Sequence, residues 1–315
     1  MSEPRDRKRR ASRAARLALV TLGLAAMLAC ATVAGIDGLQ IGECKGGGVC
    51  TEAGMVDGAI PPGDDSSIKP IEGGTFDGSG LPCKSLHGPS MVRVGTDTNN
   101  FCIDSTEVTV AQYREFTMAV PDAAGQPVTC AWNSAYTAAF GGPDDVPIAG
   151  VDWCDARAYC AWSGKRLCGK HASGSFQGPV SVAELGDFNT NEWLLVCSNL
   201  GQLRYPYGGI QQPTACNTLE ADAGRSLPVK SEPKCEGGFR GVYDMVGNLW
   251  EWFDGPCLLP DGGADAGDAG PAKDECFVKG GAFLNGGVNL DCRVDGRGAS
   301  RDRRGQEIGI RCCSD

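Results

Sequence analysis

Apolar residues recur at helical spacing in two stretches of the middle of the chain. In EVTVAQYREFTMAV, from Glu107, they follow Thr106, whose hydroxyl can cap a helix start, so the pattern predicts a helix opening there. In VDWCDARAYCAWSGK, Val151 to Lys165, the positions Ala156, Tyr159, Cys160 and Ser163 share one face and predict a second amphipathic helix. NEWLLVCSNL, Asn191 to Leu200, predicts a third helical piece, and MVRVG (Met91 to Gly95) and FCID (Phe101 to Asp104) read as short strands. The apolar runs are brief and glycine is abundant, at 46 residues, which favours a loop-rich α+β domain of low regular secondary structure over a bundle or a regular α/β repeat. No internal repeat is evident.

Outside this domain the pattern changes. The segment MSEPRDRKRRASRAAR is basic, and the apolar run Leu17 to Ala29 is too short to span a bilayer but suits a secretion signal, so residues 1–29 are read as a signal peptide. Cys30 directly after MLA resembles the lipid-modified cysteine of bacterial lipoproteins, with ordinary cleavage or retention as a single anchor as the alternatives. Residues 30–81, rich in Gly, Asp, Ser and Pro, read as a flexible tether leading to a domain at 82–315. A low-complexity insertion, PDGGADAGDAGPAKDE at 260–275, interrupts that domain. The chain carries a formal charge of −10, and loss of the basic leader takes it to about −15. An acidic protein of this kind is a poor partner for nucleic acid or anionic lipid, so contact with a membrane is expected only through the lipid anchor.

The chain has 17 cysteines, and setting Cys30 aside leaves an even number in a protein read as exported to the periplasm or cell envelope. There are no CxxC pairs for zinc, so a disulfide framework is expected. Cys257 and Cys276 flank the insertion and are read as a bridge pinching it off; Cys44 and Cys50 are positioned to close a small loop in the tether.

VYDMVGNLWEW, Val242 to Trp252, is the most informative stretch. Asp244 and Glu251 with irregular backbone between them offer oxygen ligands of the kind calcium takes. The plainer reading is a Gly-Asn turn leading into a buried aromatic strand, with Trp250 and Trp252 in the core.

The ordered series FCIDSTEVTVAQYREF, VDWCDARAYCAWSGKRLCG, NEWLLVC, YPYG, VYDMVGNLWEW, KGGAF, CRVDGR and IGIRCC, over roughly Met91 to Cys313, resembles the sulfatase-modifying factor, or formylglycine-generating enzyme, family. The resemblance implies a single loop-rich domain shared loosely with C-type lectins. It implies structural calcium held by the side chains of Asp244 and Glu251 and the carbonyls of Gly247 and Leu249. A second site would map to Asn217 and the carbonyl of Thr218, with Asp222 as a carboxylate. It also implies the disulfides Cys160 with Cys312 and Cys197 with Cys292; Cys216 with Cys235 and Cys83 with Cys102 are suggested by proximity, and Cys130, Cys154, Cys168 and Cys313 stay unassigned.

The family's enzymes use two cysteines, five residues apart, that bind copper(I) between the GG motif and the arginine-rich block. Counting from Gly280-Gly281 places that pair at Asn285 and Leu290; counting back from Cys292 places it near Ala282 or Phe283 and at Gly287. Neither register holds a cysteine, so copper is not expected. The two histidines, His87 and His171, are read as solvated surface residues, and Arg293, Arg297, Arg301, Arg303 and Arg304 chiefly as braces against aspartates. These readings converge on an exported, non-copper, calcium-braced recognition or scaffold module at the cell surface. Its groove beside Asn285, Asn289, Arg293 and Arg297 would take a peptide, protein or glycan. The alternative is a formylglycine-generating oxidase or related oxidoreductase acting on a protein cysteine.

Overall fold

The computed structural model describes residues 83–96, 99–120, 122–172, 174–176, 182–255, 257, 274–293 and 298–315. The expected signal, Cys30, the tether with Cys44 and Cys50, nearly all of the 260–275 insertion and Arg297 lie outside the described residues.

Two small four-stranded sheets organise the domain. The first contains β1 (Met91–Thr96), β2 (Asn99–Asp104), β3 (Arg166–Leu167) and β8 (Cys312–Ser314) in the order β1-β2-β8-β3. Met91 lies opposite Asp104 and Thr96 opposite Asn99, so β1 and β2 form a hairpin, and the C-terminal β8 completes the sheet beside β2. The second contains β4 (Trp250–Trp252), β5 (Glu275–Lys279), β6 (Gly298–Ser300) and β7 (Ile308–Gly309), ordered β6-β5-β4-β7 with β4 and β7 parallel. The aromatic strand expected after the Gly-Asn turn is β4, and all three of its residues are buried.

Among the described residues four α-helical segments fill in around the sheets: α1 (Val110–Ala119), α2 (Trp153–Trp162), α3 (Val182–Leu185) and α4 (Glu192–Cys197). α1 does not begin at Thr106. Thr109 caps it: its hydroxyl accepts from the Gln112 amide at 3.4 Å while the Gln112 side chain accepts from the Thr109 amide at 2.9 Å. The residues before it are committed to extended pairing, since Val108 donates to the Ile310 carbonyl and accepts from Ile148, and that tertiary bonding holds off the helix by one turn. α2 begins on a capping box between Asp152 and Asp155 and buries the predicted face, Ala156, Tyr159, Cys160 and Ser163. α4 is shorter than the apolar run that encodes it, because Asn199 and Leu200 turn left-handed immediately afterwards.

Two apolar clusters form the interior. Tyr113, Phe116 and Tyr159 pack with Trp250 and Trp252 in one; Phe101, Trp193, Phe239 and Phe253 lead the other. Among the described residues seven disulfides supplement these modest cores: Cys83–Cys102, Cys130–Cys154, Cys160–Cys312, Cys168–Cys313, Cys197–Cys292, Cys216–Cys235 and Cys257–Cys276. Every cysteine among the described residues is therefore in a bridge. Adjacent Cys312 and Cys313 staple the C-terminus to α2 and to the segment after β3, which fixes β8 as a central strand. Among the described residues no helix is long and apolar enough to cross a membrane.

Candidate functional site

The turn before β4 is built from backbone conformations that side chains seldom adopt. Asp244, Gly247 and Asn248 all have positive φ, at 59°, 76° and 55°. Gly247 is also sterically required, because a Cβ there would lie 2.4 Å from the Asn217 carbonyl oxygen. Asn248 stitches the turn in place. Its amide donates to that same carbonyl at 2.7 Å, and its side-chain Oδ1 accepts from Asn217 Nδ2 at 2.9 Å.

Glu107 is the residue that the sequence pattern misassigned, as the start of a helix. Its carboxylate reaches across the domain to accept from Asn248 Nδ2 at 2.7 Å and from the Leu249 amide at 2.9 Å. Glu251, on β4, accepts from Arg311 Nε at 2.8 Å and from Trp193 Nε1 at 2.7 Å. Arg311 is itself buried and donates to the carbonyls of Asp104 and Tyr243, each at 2.8 Å. Asp244 accepts from the Lys230 amide at 2.8 Å.

Electrostatically the cluster is overloaded with anions. Burial drives the Glu107 carboxyl well above the usual range, with further push from Asp244 and Glu251. Burial likewise raises Asp244 to about 6, and raises Glu251 against the opposing pull of Arg311. One buried guanidinium thus faces three buried carboxyls.

This donor set suits a hard cation. At the second mapped position the buried Asn217 Oδ1 has no hydrogen-bond partner among the described residues, and at the first the excess of carboxylates and the left-handed turn between Asp244 and Glu251 are features that calcium would satisfy. Asp244 and Glu251, with the carbonyls of Gly247 and Leu249, are the residues that would hold it. No group of three His, Cys, Asp or Glu side chains surrounds one point among the described residues, so main-chain oxygens would have to complete the shell. At the second mapped position Asn217 and Thr218 are buried, whereas Asp222 is exposed, with a left-handed backbone at the end of the short turn 219–221.

The segment after β5 packs directly on this turn, since the Phe283 amide donates to the Asn248 carbonyl at 3.0 Å. Asn285 is a bracing residue: its Oδ1 accepts from the Ala282 amide and its carbonyl from Leu219. Leu290 ends a 3-10 turn that includes Asn289 and is 2% exposed, in the second core cluster. Cys292 is tied to Cys197. Glu220 fastens the outer edge, accepting from the Gly287 amide at 2.9 Å and the Thr218 hydroxyl at 3.1 Å. Leu219 and Leu284 stand exposed beside it, and Arg293 is exposed beyond Asp291, which pairs with Arg204 at 2.6 Å.

Three of the clustered arginines act as braces. Arg301 pairs with Asp274 at 2.6 Å, Arg304 with Asp152 at 2.6 Å, and Arg303 with Glu307. The histidines are not simply solvated. His87 is exposed but stacks on Trp162, with ring centres 4.0 Å apart, and half-buried His171 meets the Phe101 ring edge-on. They sit on different neighbours, β2 for one and α2 for the other.

Residues 70–315 match the family model of the sulfatase-modifying factor enzyme 1-like domain. A bovine protein named inactive C-alpha-formylglycine-generating enzyme 2 is 29% identical over 188 residues, which cover 54% of this chain and 50% of that protein. Hercynine oxygenase of Mycolicibacterium smegmatis is 30% identical over 118 residues, 36% of this chain and 23% of that one. Bovine formylglycine-generating enzyme is 32% identical over 122 residues, 34% of this chain and 26% of that one. The chain thus spans about half the length, or less, of these curated relatives. The solved structure of PvdO from Pseudomonas aeruginosa aligns with a TM-score of 0.46 at 20% identity, covering 75% of this chain and 92% of that one. With its family model matched across most of its length and its mixed, disulfide-rich, loop-dominated architecture, the chain belongs to the sulfatase-modifying factor family.

Proposed function

We propose that this chain is an exported recognition or scaffold module that keeps the family's fold, braced by calcium at Asp244 to Glu251, and works without the copper-thiolate chemistry of the family's oxidases. One observation carries the reading: the segment 280–292 contains a single cysteine, Cys292, and it is bonded to Cys197. Copper(I) selects soft thiolates. In one register of the family pattern the two positions are Asn285, which braces a turn, and Leu290, which is core; in the other they are Ala282 or Phe283 and Gly287, and no cysteine stands at any of them.

The groove proposed for a peptide, protein or glycan partner lies beside this segment, where Leu219, Leu284 and Arg293 are exposed. The seven disulfides among the described residues accord with an oxidising compartment, and Cys30 is the proposed lipid attachment holding the domain at the cell envelope. The relatives named as a formylglycine-generating enzyme and an oxygenase make oxidation of a protein cysteine the competing outcome.

The test is oxygen consumption by the purified protein with copper(I), a thiol reductant and a peptide carrying a CxPxR sequence, followed by mass spectrometry of the peptide. An unchanged peptide from folded, calcium-loaded protein is expected. Conversion of the peptide cysteine to an aldehyde would show an oxidase and overturn the proposal. Calcium is tested separately: chelation should lower the melting temperature and added calcium restore it, while chelator-independent melting would remove calcium from the account.

A further inference from the structure

The segment between Cys130 and Ala139 lies on the surface apart from one residue. Ala131, Ser134, Ala135 and Thr137 face solvent and Trp132, Tyr136 and Ala138 are half-buried, whereas Asn133 is 5% exposed. Both ends of the segment are fixed: Cys130 is bridged to Cys154 of α2, and the Ala139 amide donates to the Ala149 carbonyl at 2.9 Å. Asn133 is the pin between them. Its Nδ2 donates to Asp155 Oδ1 at 2.8 Å, its Oδ1 accepts from Arg304 Nη2 at 3.3 Å, and its carbonyl accepts from Gln126 Nε2 at 2.8 Å. Tyr136 adds a ring contact with Phe116 of α1, with centres 4.8 Å apart.

The pin rests on charges that do not balance. Asp152 and Asp155, within one turn at the start of α2, are both fully buried and each accepts from the other's backbone amide, so their carboxyls are neighbours. The cation facing them is Arg304, 2.6 Å from Asp152 and 3.4 Å from Asp155, with 38% of its side chain exposed. The buried Tyr113 hydroxyl faces the pair from α1 and Tyr136 faces it from the segment itself; both phenols are held above their usual range and stay neutral, while exposed Asp122 adds negative charge on the Tyr136 side. One guanidinium offsets one carboxylate, so the second is favoured there as the neutral acid. Burial and the Asp152 charge accordingly hold the Asp155 carboxyl up at about 7. Opening the segment would admit water to the pair and return Asp155 toward its ordinary value of about 4. Loss of the proton therefore favours opening. The pin is firmest below about pH 4 and weakens, by at most about tenfold per pH unit, as pH rises to about 7.

We propose that residues 131–138 form a pH-sensitive flap, closed in acid by Asn133 on the Asp152–Asp155 pair and released toward neutrality as Asp155 ionises, with the Cys130–Cys154 bridge and the Ala139–Ala149 pairing as its hinges. Release lifts Tyr136 from Phe116 and exposes that ring. The device is separate from the segment 280–292 and does not rest on the function proposed above.

The experiment is hydrogen exchange of the full chain, read by mass spectrometry from about pH 5 to about pH 8 and corrected for the intrinsic exchange rate at each pH, comparing residues 131–138 with the buried helix α4. The flap should be less protected than α4 at every pH, and its protection should fall by up to about tenfold per unit between about pH 5 and about pH 7 and then level off. Asp155→Asn, which keeps an acceptor for Asn133 but cannot ionise, should abolish the fall. Arg304→Gln, at a partly exposed position, should move the fall to higher pH, because the guanidinium no longer favours the charged carboxyl. Protection of 131–138 that is independent of pH, that equals α4 throughout, or that keeps its pH dependence in folded Asp155→Asn would overturn the proposal. A fall that stays in place in Arg304→Gln would overturn it as well, whether or not Asp155→Asn folds.

Discussion

Replacing Arg311 with methionine tests whether the buried carboxyl cluster is organised as described. Arg311 is 1% exposed and makes three 2.8 Å contacts, to Glu251, to the Asp104 carbonyl and to the Tyr243 carbonyl. Methionine fills much of the same volume but leaves Glu251, with Glu107 and Asp244 nearby, without the buried guanidinium whose charge opposes theirs. Breaking a buried pair from one side costs roughly 3–5 kcal/mol, and for a domain of this size each kcal/mol moves the melting midpoint by about 2–4 °C. The variant should therefore melt roughly 6–20 °C lower at pH 7. The cost should shrink as pH falls, because the abandoned carboxyls can be neutralised by protons instead. Adding Glu251→Gln should recover part of the loss, which a double-mutant cycle would read as coupling between the two sites. The assay is thermal denaturation with the disulfides intact, in calcium and in chelator. A loss below about 1 kcal/mol, the range of an exposed ion pair, would mean that Arg311 does not neutralise a buried cluster, and the account of the site would fail.

Further outcomes follow from the same geometry. Burial and the neighbouring Asp152 push the Asp155 carboxyl up to about 7, so the folded state holds an extra proton between the ordinary carboxylate range and neutrality, and stability should fall as pH rises from about 4 to about 7. Asp155→Asn should flatten that dependence by up to about 4 kcal/mol; denaturant titrations showing the same slope in both proteins would contradict the raised value. The Cys197–Cys292 bridge closes a separation of 95 residues, and the chain-entropy relation sets a ceiling of about 4.7 kcal/mol on the cost of removing it as a double serine variant. Melting unchanged by that variant would mean that the bridge does not form. Gly247→Ala should destabilise by more than about 1 kcal/mol, because its Cβ meets the Asn217 carbonyl and its φ is positive; an unaltered midpoint would show that the turn is not built as described.

Much of the scaffold was legible along the chain because its signals are local. The buried face of α2 is written in residues three and four apart, and β4 in two tryptophans around Glu251 after a Gly-Asn turn. The lack of a cysteine pair between Gly280 and Cys292 is likewise a property of the sequence alone. The role of Glu107 was not legible, because its partners Asn248 and Leu249 lie more than a hundred residues away and a Glu after Thr106 carries an ordinary helix-start signal. The same long-range pairing, through Ile148 and Ile310, moved the start of α1 to Thr109. Nor can spacing reveal that Arg304 reaches Asp152, since ion pairs between distant segments depend on how the chain is brought together. Periodicity and turn chemistry determined which elements form; desolvation and contact between remote segments decided which of their polar groups are paired, strained or left wanting a partner.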